Sequence, residues 1–368
     1  MDGWLERVSS MAENLITFER NSRKGRIRAA ACYHHFSLIA KPSVELTVQS
    51  TPQYLAQRGF EYDSLRVTEL TGGVSNVVLL VEHAGGRFVL KQALPQLRVE
   101  QEWFSDMRRI FQESAALRLL APKLPPGSIP SVLFEDPENY AFAMSAAPDG
   151  SESWKACLLR NEPNSRIAEH VGEILGTLMR ESWNSQELAA QFGDLTIFEE
   201  LRLDPYYGRM IALYPDLAAH FEALIEDCRT RRVCLVHGDW SPKNILVHDS
   251  HAIAIDFEVI HFGDPSFDAA FLLNHLLLKT FYGIKAAPLL AEVFWTSLRG
   301  TMPDAPWFEK ATLAHLGGLL LARMDGKSPA EYIRDPKLKQ RIRLFARELI
   351  VNPPASIAEV WSRYAAKH

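Results

Sequence analysis

This sequence has few cysteines, only short apolar runs and no surplus of positive charge. The four cysteines form no CxxC pair, which excludes a disulfide framework and favours a reducing compartment. The longest apolar stretches, at 269–278 and 316–322, are too short to cross roughly 30 Å of hydrocarbon. With 40 Lys and Arg against 45 Asp and Glu, no basic field favours nucleic acid or anionic lipid. These absences predict a cytoplasmic protein that binds small molecules and neither nucleic acid nor membranes.

Apolar residues, by contrast, make up 47% of the 368 residues and suffice for a large core. Residues 1–50 are expected to be an N-terminal extension, and positions 20–41 carry several arginines and lysines without any acid. Two interpretations remain open for that stretch: a transit or anion-binding arm, or a poorly packed terminus. Compact structure is predicted from Thr51, which can cap a helix whose first position suits Pro52.

Residues 51–144 are predicted to form a β-rich N-terminal lobe. Short runs of alternating or β-branched residues, separated by turn residues, indicate an antiparallel meander and two further strands. The predicted strands cover 65–70, 77–82, 87–92, 131–135 and 140–144. The turn after the first strand contains Gly72 and Gly73.

One amphipathic helix is predicted inside this lobe, within 103–120. Apolar and small residues recur there every three or four positions, so they share one face. Glu113 lies three residues after Ile110 and four before Leu117, on that same face. A carboxylate on a buried face needs a cationic partner, and we therefore expect one for Glu113.

Residues 145–149 contain Pro148 and are predicted to connect the lobe to a mostly helical region over 150–368. Strands return only briefly, at 233–236, 245–247 and 252–255. The predicted fold class is therefore α+β, with an antiparallel β-rich lobe followed by a mostly α-helical lobe. The sequence gives no indication of the oligomeric state.

The segment from Val236 to Asn244 contains the most informative motif. It reads VHGDWSPKN, which sets Asp239 and Asn244 five residues apart, and Asp256 follows at the end of a predicted strand. Phosphoryl transfer from ATP needs one carboxylate to orient the attacking hydroxyl, and an amide oxygen with a second carboxylate to hold Mg²⁺. The spacing equals that of the kinase catalytic loop.

Two upstream features fit the same chemistry. Lys91 ends the apolar run Phe88 to Lys91, and an ion pair with Glu113 that reaches nucleotide phosphates accounts for both buried charges. The alternative for Lys91 is a charge on an edge strand that extends into water. The turn with Gly72, Gly73, Ser75 and Asn76 can cover phosphates with its backbone N–H groups, although glycine-bearing hairpin turns are common.

From Gly72 to the C-terminal helices, the chain resembles the aminoglycoside phosphotransferase, choline kinase and methylthioribose kinase group. The resemblance implies a bilobed protein-kinase-like fold with ATP and Mg²⁺ in the cleft. It implies that Asp239 is the catalytic base and that Asn244 and Asp256 are magnesium ligands. It also implies that Lys91 and Glu113 anchor the phosphates.

The resemblance extends to further positions. Glu258 corresponds to the acid of a D-x-E motif that assists a second metal ion, although a solvated loop acid is an equal alternative. Asp268 resembles an aspartate that braces the catalytic loop, and its place at a helix start also suits the helix dipole. His237 is expected to pack and donate hydrogen bonds. The adenine-binding hinge aligns with Met144, Ser145 and Ala147.

We therefore predict an ATP-dependent phosphotransferase acting on a small-molecule hydroxyl, sugar-like rather than an aminoglycoside. Candidate acceptor-binding residues are Trp154, Tyr206, Trp240, Arg323 and Asp325. A protein kinase is disfavoured because only eleven residues separate Asp256 from Asp268, too few for an activation segment. The remaining alternative is a nucleotide-binding pseudokinase with a regulatory or scaffolding role.

Overall fold

The computed structural model describes residues 42–60, 64–70, 75–96, 98 and 105–367. Two units divide the chain, one up to Ser43 and one from Val44 onward, and the fold described below is that of the second. The basic stretch at 20–41 and the predicted phosphate-covering glycines, Gly72 and Gly73, lie outside the described residues.

The N-terminal part of the second unit is a five-stranded antiparallel sheet with two helices. The strands run in the order β1-β2-β3-β5-β4, so β3 is central. The elements are α1 (Thr51–Gln57), β1 (Arg66–Glu69), β2 (Asn76–His83), β3 (Gly86–Ala93), α2 (Arg109–Leu120), β4 (Val132–Asp136) and β5 (Ala141–Ser145). Each of the five strands overlaps a strand predicted from the sequence.

One face of this sheet packs on residues that precede α1. Leu79, Val81 and Leu90 are fully buried with Leu46, whose backbone N–H donates to Gln92 Oε1 at 2.8 Å. Burying a leucine side chain contributes about 1.5–3 kcal/mol, so Leu46 adds real stability. The packed chain therefore begins before residue 50, where the N-terminal extension is predicted to end.

The C-terminal part is mostly helical. Within the described ranges, no helix combines the length and apolarity of a membrane span. Its helices are α3 (Trp154–Leu159), α4 (Ser165–Ser182), α5 (Gln186–Gln191), α6 (Thr196–Phe198), α7 (Arg209–Leu213), α8 (Ala218–Thr230), α9 (Ser266–Tyr282), α10 (Ala287–Thr301), α11 (Phe308–Asp325), α12 (Pro336–Val351) and α13 (Ile357–Ala365). A wider π-helix, Glu199–Gly208, joins α6 to α7. Helix α9 packs against α10 and α11 and is buried along nearly all its length.

Two small antiparallel sheets carry the loops that bear the motif. The first pairs β6 (Glu152–Ser153), β8 (Ile245–His248) and β9 (His251–Ala254) in the order β6-β8-β9. The second pairs β7 (Cys234–Val236) with β10 (His261–Gly263), a strand that the sequence analysis did not predict. The catalytic-loop segment therefore connects one small sheet to the other.

Candidate active site

The second residue of the loop after β7 is a glycine that no other residue can replace without strain. Gly238 has φ +78°, a left-handed conformation that side chains disfavour. A Cβ at this position would lie 2.8 Å from Val259 Cγ1 and 2.9 Å from the Val259 carbonyl oxygen. The loop therefore passes close to the Val259 backbone, and this contact fixes the direction in which Asp239 leaves the strand.

Asp268, at the start of α9, holds the same loop through hydrogen bonds to its backbone. Its carboxylate oxygens accept hydrogen bonds from the backbone N–H groups of His237 at 2.6 Å and Gly238 at 2.9 Å. Burial raises the pKa of Asp268 to about 7, against the opposing effect of these two donors. Because the two N–H groups have no other described acceptor here, Asp268 supports the loop mechanically and has no contact with the cavity.

His237 has a supporting place as well. Its Nδ1 accepts a hydrogen bond from the Asp239 backbone N–H at 3.2 Å, so Nε2 carries the proton and donates to the Ile255 carbonyl at 3.1 Å. Burial lowers the pKa of His237 to about 4, and the ring is therefore neutral at physiological pH. A neutral ring with both nitrogens engaged fixes the loop geometry.

Two cations bind one oxygen of the Asp239 carboxylate. Oδ2 lies 2.8 Å from Arg202 Nη2 and 3.0 Å from Lys243 Nζ. Burial opposes ionisation, but the positive charges of Arg202 and Lys243 outweigh it and lower the pKa of Asp239. Asp239 is therefore a carboxylate at neutral pH, and its Oδ1 has no hydrogen-bond partner in the described parts of the chain.

Arg202 is a site residue that the sequence analysis missed. It lies in the π-helix, and its Nε donates to the Gly238 carbonyl at 2.7 Å across 36 positions of sequence. Single π-helical segments occur often at functional sites. No local sequence signal identifies Arg202 as a site residue. Lys243, by contrast, lies beside Asn244 inside the motif, and its place in the site could have been predicted.

Asn244 and Asp256 present oxygen atoms on the far side of the loop. Asn244 Nδ2 donates to the Asp239 carbonyl at 3.1 Å, which leaves the amide oxygen for another partner. Asp256 follows β9 with φ +69°, a left-handed conformation that is uncommon for residues other than glycine and that occurs often at functional positions. Hard oxygen donors of this kind fit Mg²⁺, so these residues match a magnesium site.

Lys91 connects the sheet to this group. Its Nζ lies 2.6 Å from Glu113 Oε2 and 2.6 Å from Asp256 Oδ1, and the lysine side chain is only 4% exposed. Burial disfavours the charge, but the two carboxylates outweigh burial and raise the pKa of Lys91. Because β3 is central and Lys91 is buried, the structure contradicts the alternative of an edge charge that extends into water.

Glu113, which pairs with Lys91, also holds the segment after Asp256. Glu113 Oε1 accepts a hydrogen bond from the Phe257 backbone N–H at 3.2 Å. Burial opposes ionisation of Asp256, but the nearby charges of Lys91 and Lys243 outweigh it and lower the pKa of Asp256. A deprotonated Asp256 is the form that a magnesium ion requires.

Glu258 faces different partners from those predicted. Ser75 Oγ donates to Oε1 at 2.5 Å, and Oε2 accepts from Asn76 Nδ2 at 2.7 Å and from Arg109 Nε at 3.2 Å. Glu258 is 5% exposed, which contradicts a solvated loop acid. Both oxygens of Glu258 are already hydrogen-bonded. Glu258 and Arg109 thus form a clamp that joins the start of β2 and helix α2 to the segment after Asp256.

Arg109 is the second residue of this clamp and was not predicted. It is 1% exposed, and its guanidinium also donates to the backbone carbonyls of Leu94 at 2.9 Å and Asp106 at 2.9 Å. The available signal was its position four residues before Glu113, on the same helix face.

A cavity of about 910 Å³ brings the motif together. The predicted residues that line it are Ser75, Asn76, Lys91, Met144, Ala147, Tyr206, Asp239, Asn244, Asp256, Glu258 and Arg323. Glu113, His237 and Asp268 stand behind this wall and act through the contacts described above. This volume falls within the range of about 300–1,000 Å³ that is usual for small-molecule binding sites.

The hinge at the end of β5 has several backbone groups without a hydrogen-bond partner among the described residues. The Ser145 N–H donates to the Ser131 carbonyl at 2.8 Å, and the Ala147 carbonyl accepts from Arg87 Nη2 at 2.7 Å. Ala146 also lines the cavity, and its own N–H and carbonyl have no hydrogen-bond partner among the described residues. The Ser145 carbonyl and the Ala147 N–H have no such partner either, so these contacts do not choose between Ala146 and the predicted hinge residues.

The structure corrects three of the five predicted acceptor contacts. Trp154 and Trp240 are 1% and 0% exposed and do not line the cavity. Asp325 also lies off the cavity wall, where it accepts a hydrogen bond from Tyr214 at 2.6 Å and pairs with Arg343 at 2.6 Å. The two indoles are used for core packing and the acid for an ion pair, which leaves Tyr206 and Arg323 at the cavity.

The sequence profile of the phosphotransferase enzyme family, abbreviated APH, matches residues 66–306. The chain belongs to this family. It is 24% identical over 276 residues to methylthioribose kinase 2 of Oryza sativa subsp. japonica, covering 67% of this chain and 64% of that protein. It is 28% identical over 271 residues to methylthioribose kinase of Escherichia coli O45:K1 (strain S88 / ExPEC), covering 64% of each. The matches thus span less than two thirds of these relatives' own length.

Two solved structures share the fold of this chain. Choline kinase from Cryptosporidium parvum Iowa II superposes with a TM-score of 0.55 at 12% identity, over 86% of this chain and all of that one (100%). Macrolide 2′-phosphotransferase MphH from Brachybacterium faecium gives 0.51 at 18% identity, over 84% of this chain and 99% of that one. These likenesses confirm the predicted bilobed α+β fold of the protein-kinase type.

Proposed function

We propose that this protein transfers the γ-phosphoryl group of ATP to a hydroxyl of a small, sugar-like molecule. The observation that carries the proposal is the convergence of Lys91, Asp239, Asn244 and Asp256 on one cavity. Family membership supports it, as do relatives named methylthioribose kinase. A structural neighbour with a TM-score of 0.51, amicoumacin kinase hAmiN in complex with AMP-PNP and Ca²⁺, supports an adenine nucleotide with a divalent cation.

Each residue has a role that its surroundings favour. Asp239 Oδ1 accepts the proton of the acceptor hydroxyl while Oδ2 stays bound to Arg202 and Lys243. The hydroxyl oxygen forms a bond to the γ-phosphorus, and the bond from that phosphorus to the β–γ bridging oxygen breaks. Lys91 attracts the nucleotide phosphates and carries a full positive charge because two carboxylates flank it.

The available donor atoms support sites for a magnesium ion and for the adenine base. Asp256 and the Asn244 amide oxygen would hold Mg²⁺, which when bound neutralises charge on the phosphates. The free backbone groups of the hinge at 145–147 would bind the adenine edge beside Met144.

The decisive experiment measures ADP release against a panel of pentoses, thiopentoses, sugar acids, sugar phosphates, amino alcohols and aminoglycosides. We expect turnover with a sugar-like member, and a loss of about 10²-fold or more in Asp239→Asn with AMP-PNP affinity retained, because a positioned base contributes on that scale. Turnover of Asp239→Asn near that of the parent would remove Asp239 from its role.

A matched control is available in Asp249→Asn. Asp249 side chain is 84% exposed in a turn with φ +52°, where asparagine is well tolerated, and it lies outside the cavity. This variant has the same chemical change and is expected to keep full activity. AMP-PNP binding with no ADP release for any acceptor would favour the pseudokinase alternative instead.

A further inference from the structure

The acceptor end of the cavity contains a buried arginine without an acidic partner. Arg323 lines the cavity and is 8% exposed. Its Nη1 donates to Ser328 Oγ at 2.9 Å and to the Tyr206 hydroxyl at 3.4 Å, and it also contacts the Ser328 carbonyl. Its Nε has no hydrogen-bond acceptor in the described chain. All of its partners there are neutral.

A second buried cation stands close to Arg323. Lys279 on α9 is fully buried, its Nζ has no hydrogen-bond acceptor among the residues described, and it lies 5.2 Å from the centre of the Tyr332 ring. Burial and the positive charges of Lys155 and Arg323 lower the pKa of Lys279 to about 7. The site therefore already holds more positive charge than its surroundings offset.

His275, one helical turn before Lys279, is also affected by the positive charges of Arg323 and Lys279. It lines the cavity, and burial together with the charges of Arg323 and Lys279 holds the pKa of His275 well below its usual value. His275 is therefore neutral. A neutral imidazole beside two cations can donate a hydrogen bond to a ligand oxygen without adding charge.

The nearby acids are already committed to other cations. Glu331 lines the cavity but forms an ion pair with Lys155. Asp325, two residues after Arg323, pairs with Arg343 at 2.6 Å. Within the described ranges, neither Arg323 nor Lys279 forms an ion pair with any carboxylate, so a negative charge is missing at this end of the cavity.

A buried cation without a partner is costly, and a ligand that supplies the anion removes the cost. We propose that the phosphoryl acceptor carries an anionic group, a carboxylate or a phosphate ester, that binds Arg323 at the acceptor end of the cavity. The hydroxyls of Tyr206, Ser328 and Tyr332 supply further donors to its oxygens; the Tyr332 hydroxyl has no partner among the described residues. The inference rests on the proposed function for the identity of the ligand as acceptor, and it disfavours polycationic antibiotics and neutral sugars.

The first test uses inorganic sulfate as the probe, because it stays a dianion throughout the physiological range. Protein saturated with AMP-PNP and Mg²⁺, which fills the phosphate site near Lys91, is titrated with sulfate and followed by thermal shift at constant ionic strength. We expect saturable stabilisation that weakens about ten-fold or more in Arg323→Gln, since hydrogen bonds to charged groups contribute on that scale. Arg323→Lys should recover part of the affinity.

Exposed cations supply matched controls for the two variants. Arg334→Gln and Lys285→Met change exposed residues that lie off the cavity, and both should bind sulfate like the parent. Lys279→Met should weaken sulfate binding without loss of AMP-PNP affinity. Absence of saturable sulfate binding, or equal binding in Arg323→Gln and in Arg334→Gln, overturns the anion site.

The second test compares ligands on one carbon skeleton: glucose, gluconate, glucose 6-phosphate and glucosamine. Binding to the nucleotide-loaded protein should be tightest for gluconate or glucose 6-phosphate, which also separates a carboxylate from a phosphate ester, and the preference should vanish in Arg323→Gln. Equal or tighter binding of glucose or glucosamine overturns the inference. Failure of the proposed function looks different: AMP-PNP does not bind, or no acceptor yields ADP, while sulfate binding still depends on Arg323.

Discussion

The two ends of the cavity differ in how their charges are balanced. At the sheet end, Lys91 has two carboxylates at 2.6 Å, and Arg109 bonds to Glu258 at 3.2 Å. At the helical end, Arg323 and Lys279 form no ion pair within the part of the chain that is described. The sheet end is thus assembled before any ligand binds, whereas the helical end is completed by its ligand.

This contrast predicts opposite responses to the removal of a cation. A balanced network loses stability when one member is deleted, because its partners stay buried and charged. An unbalanced site loses little or gains stability, because the deletion removes a charge that had no partner. The following predictions test that difference, beginning with the largest expected effect.

Lys91→Met should cause the largest loss of folding stability. It leaves Glu113, whose side chain is 0% exposed, without its cation, and breaking a buried pair typically costs about 3–5 kcal/mol. Urea unfolding measures the loss, with Lys285→Met as an exposed control. Lys91→Met/Glu113→Leu should recover part of it. A Lys91→Met protein as stable as the control would show that the sheet end is not a balanced network.

Asp256→Ala and Glu258→Gln should fail in different ways. The first should abolish the Mg²⁺ dependence of AMP-PNP binding, because it removes a metal ligand. The second should leave the Mg²⁺ requirement unchanged and lower the free energy of unfolding by about 1.5–3 kcal/mol, because Glu258 bonds to Arg109 and Ser75. Calorimetric titration at several Mg²⁺ concentrations separates them. A raised Mg²⁺ requirement in Glu258→Gln would restore Glu258 as a metal ligand.

Lys279 should produce a pH dependence of stability that rises with pH. The folded-state pKa is about 7 and that of an unfolded lysine about 10.4, so between these values the unfolded chain binds a proton that the folded chain does not. The free energy of unfolding therefore increases as pH rises through this window. The charged groups that act on Lys279 in the folded state are Lys155, Arg323 and Glu331.

Lys279→Met should remove that increase and should be more stable than the parent at pH 6, where the buried ammonium is charged. The measurement is the difference between the unfolding curves of the two proteins from pH 6 to 10. A variant that is less stable than the parent at every pH would mean that the Lys279 charge is balanced after all.

Deleting residues 1–43 should have the smallest effect. All described residues that line the cavity come later in the chain, whereas the Val44 backbone N–H donates to Asn139 Oδ1 at 2.7 Å and Leu46 packs in the core. We expect unchanged ADP release and unchanged Tm, and a deletion extended through Leu46 should lower Tm. A loss of activity with the shorter deletion would give the basic stretch at 20–41 a function.

The catalytic loop and the strands were accessible from the sequence because their signals are local. The spacing of Asp239 and Asn244 lies within one loop, and the helix period alone places Glu113 on a buried face. Likewise, β-branched runs separated by glycines gave the central strands close to their observed positions. Such features depend on neighbours a few residues away.

Residues recruited across long stretches of chain were not accessible. Arg202 reaches Asp239 from a π-helix, and Glu258 bonds to Ser75 across 183 positions. Trp154 and Trp240 show the converse, because an aromatic residue beside a motif has the same local pattern whether it faces a ligand or the core. Only the packed structure separates those cases.

Gly238 also has a consequence for directed evolution of this protein. Any side chain at that position meets the Val259 backbone at 2.9 Å and adopts a disfavoured φ of +78°. In a saturation library sorted for nucleotide binding, variants with asparagine at position 239 would be recovered, whereas only glycine would be recovered at position 238. The most constrained position of the loop is therefore a residue without a side chain. Libraries that seek new acceptors should instead vary the cavity-lining residues around Tyr206 and Ser328.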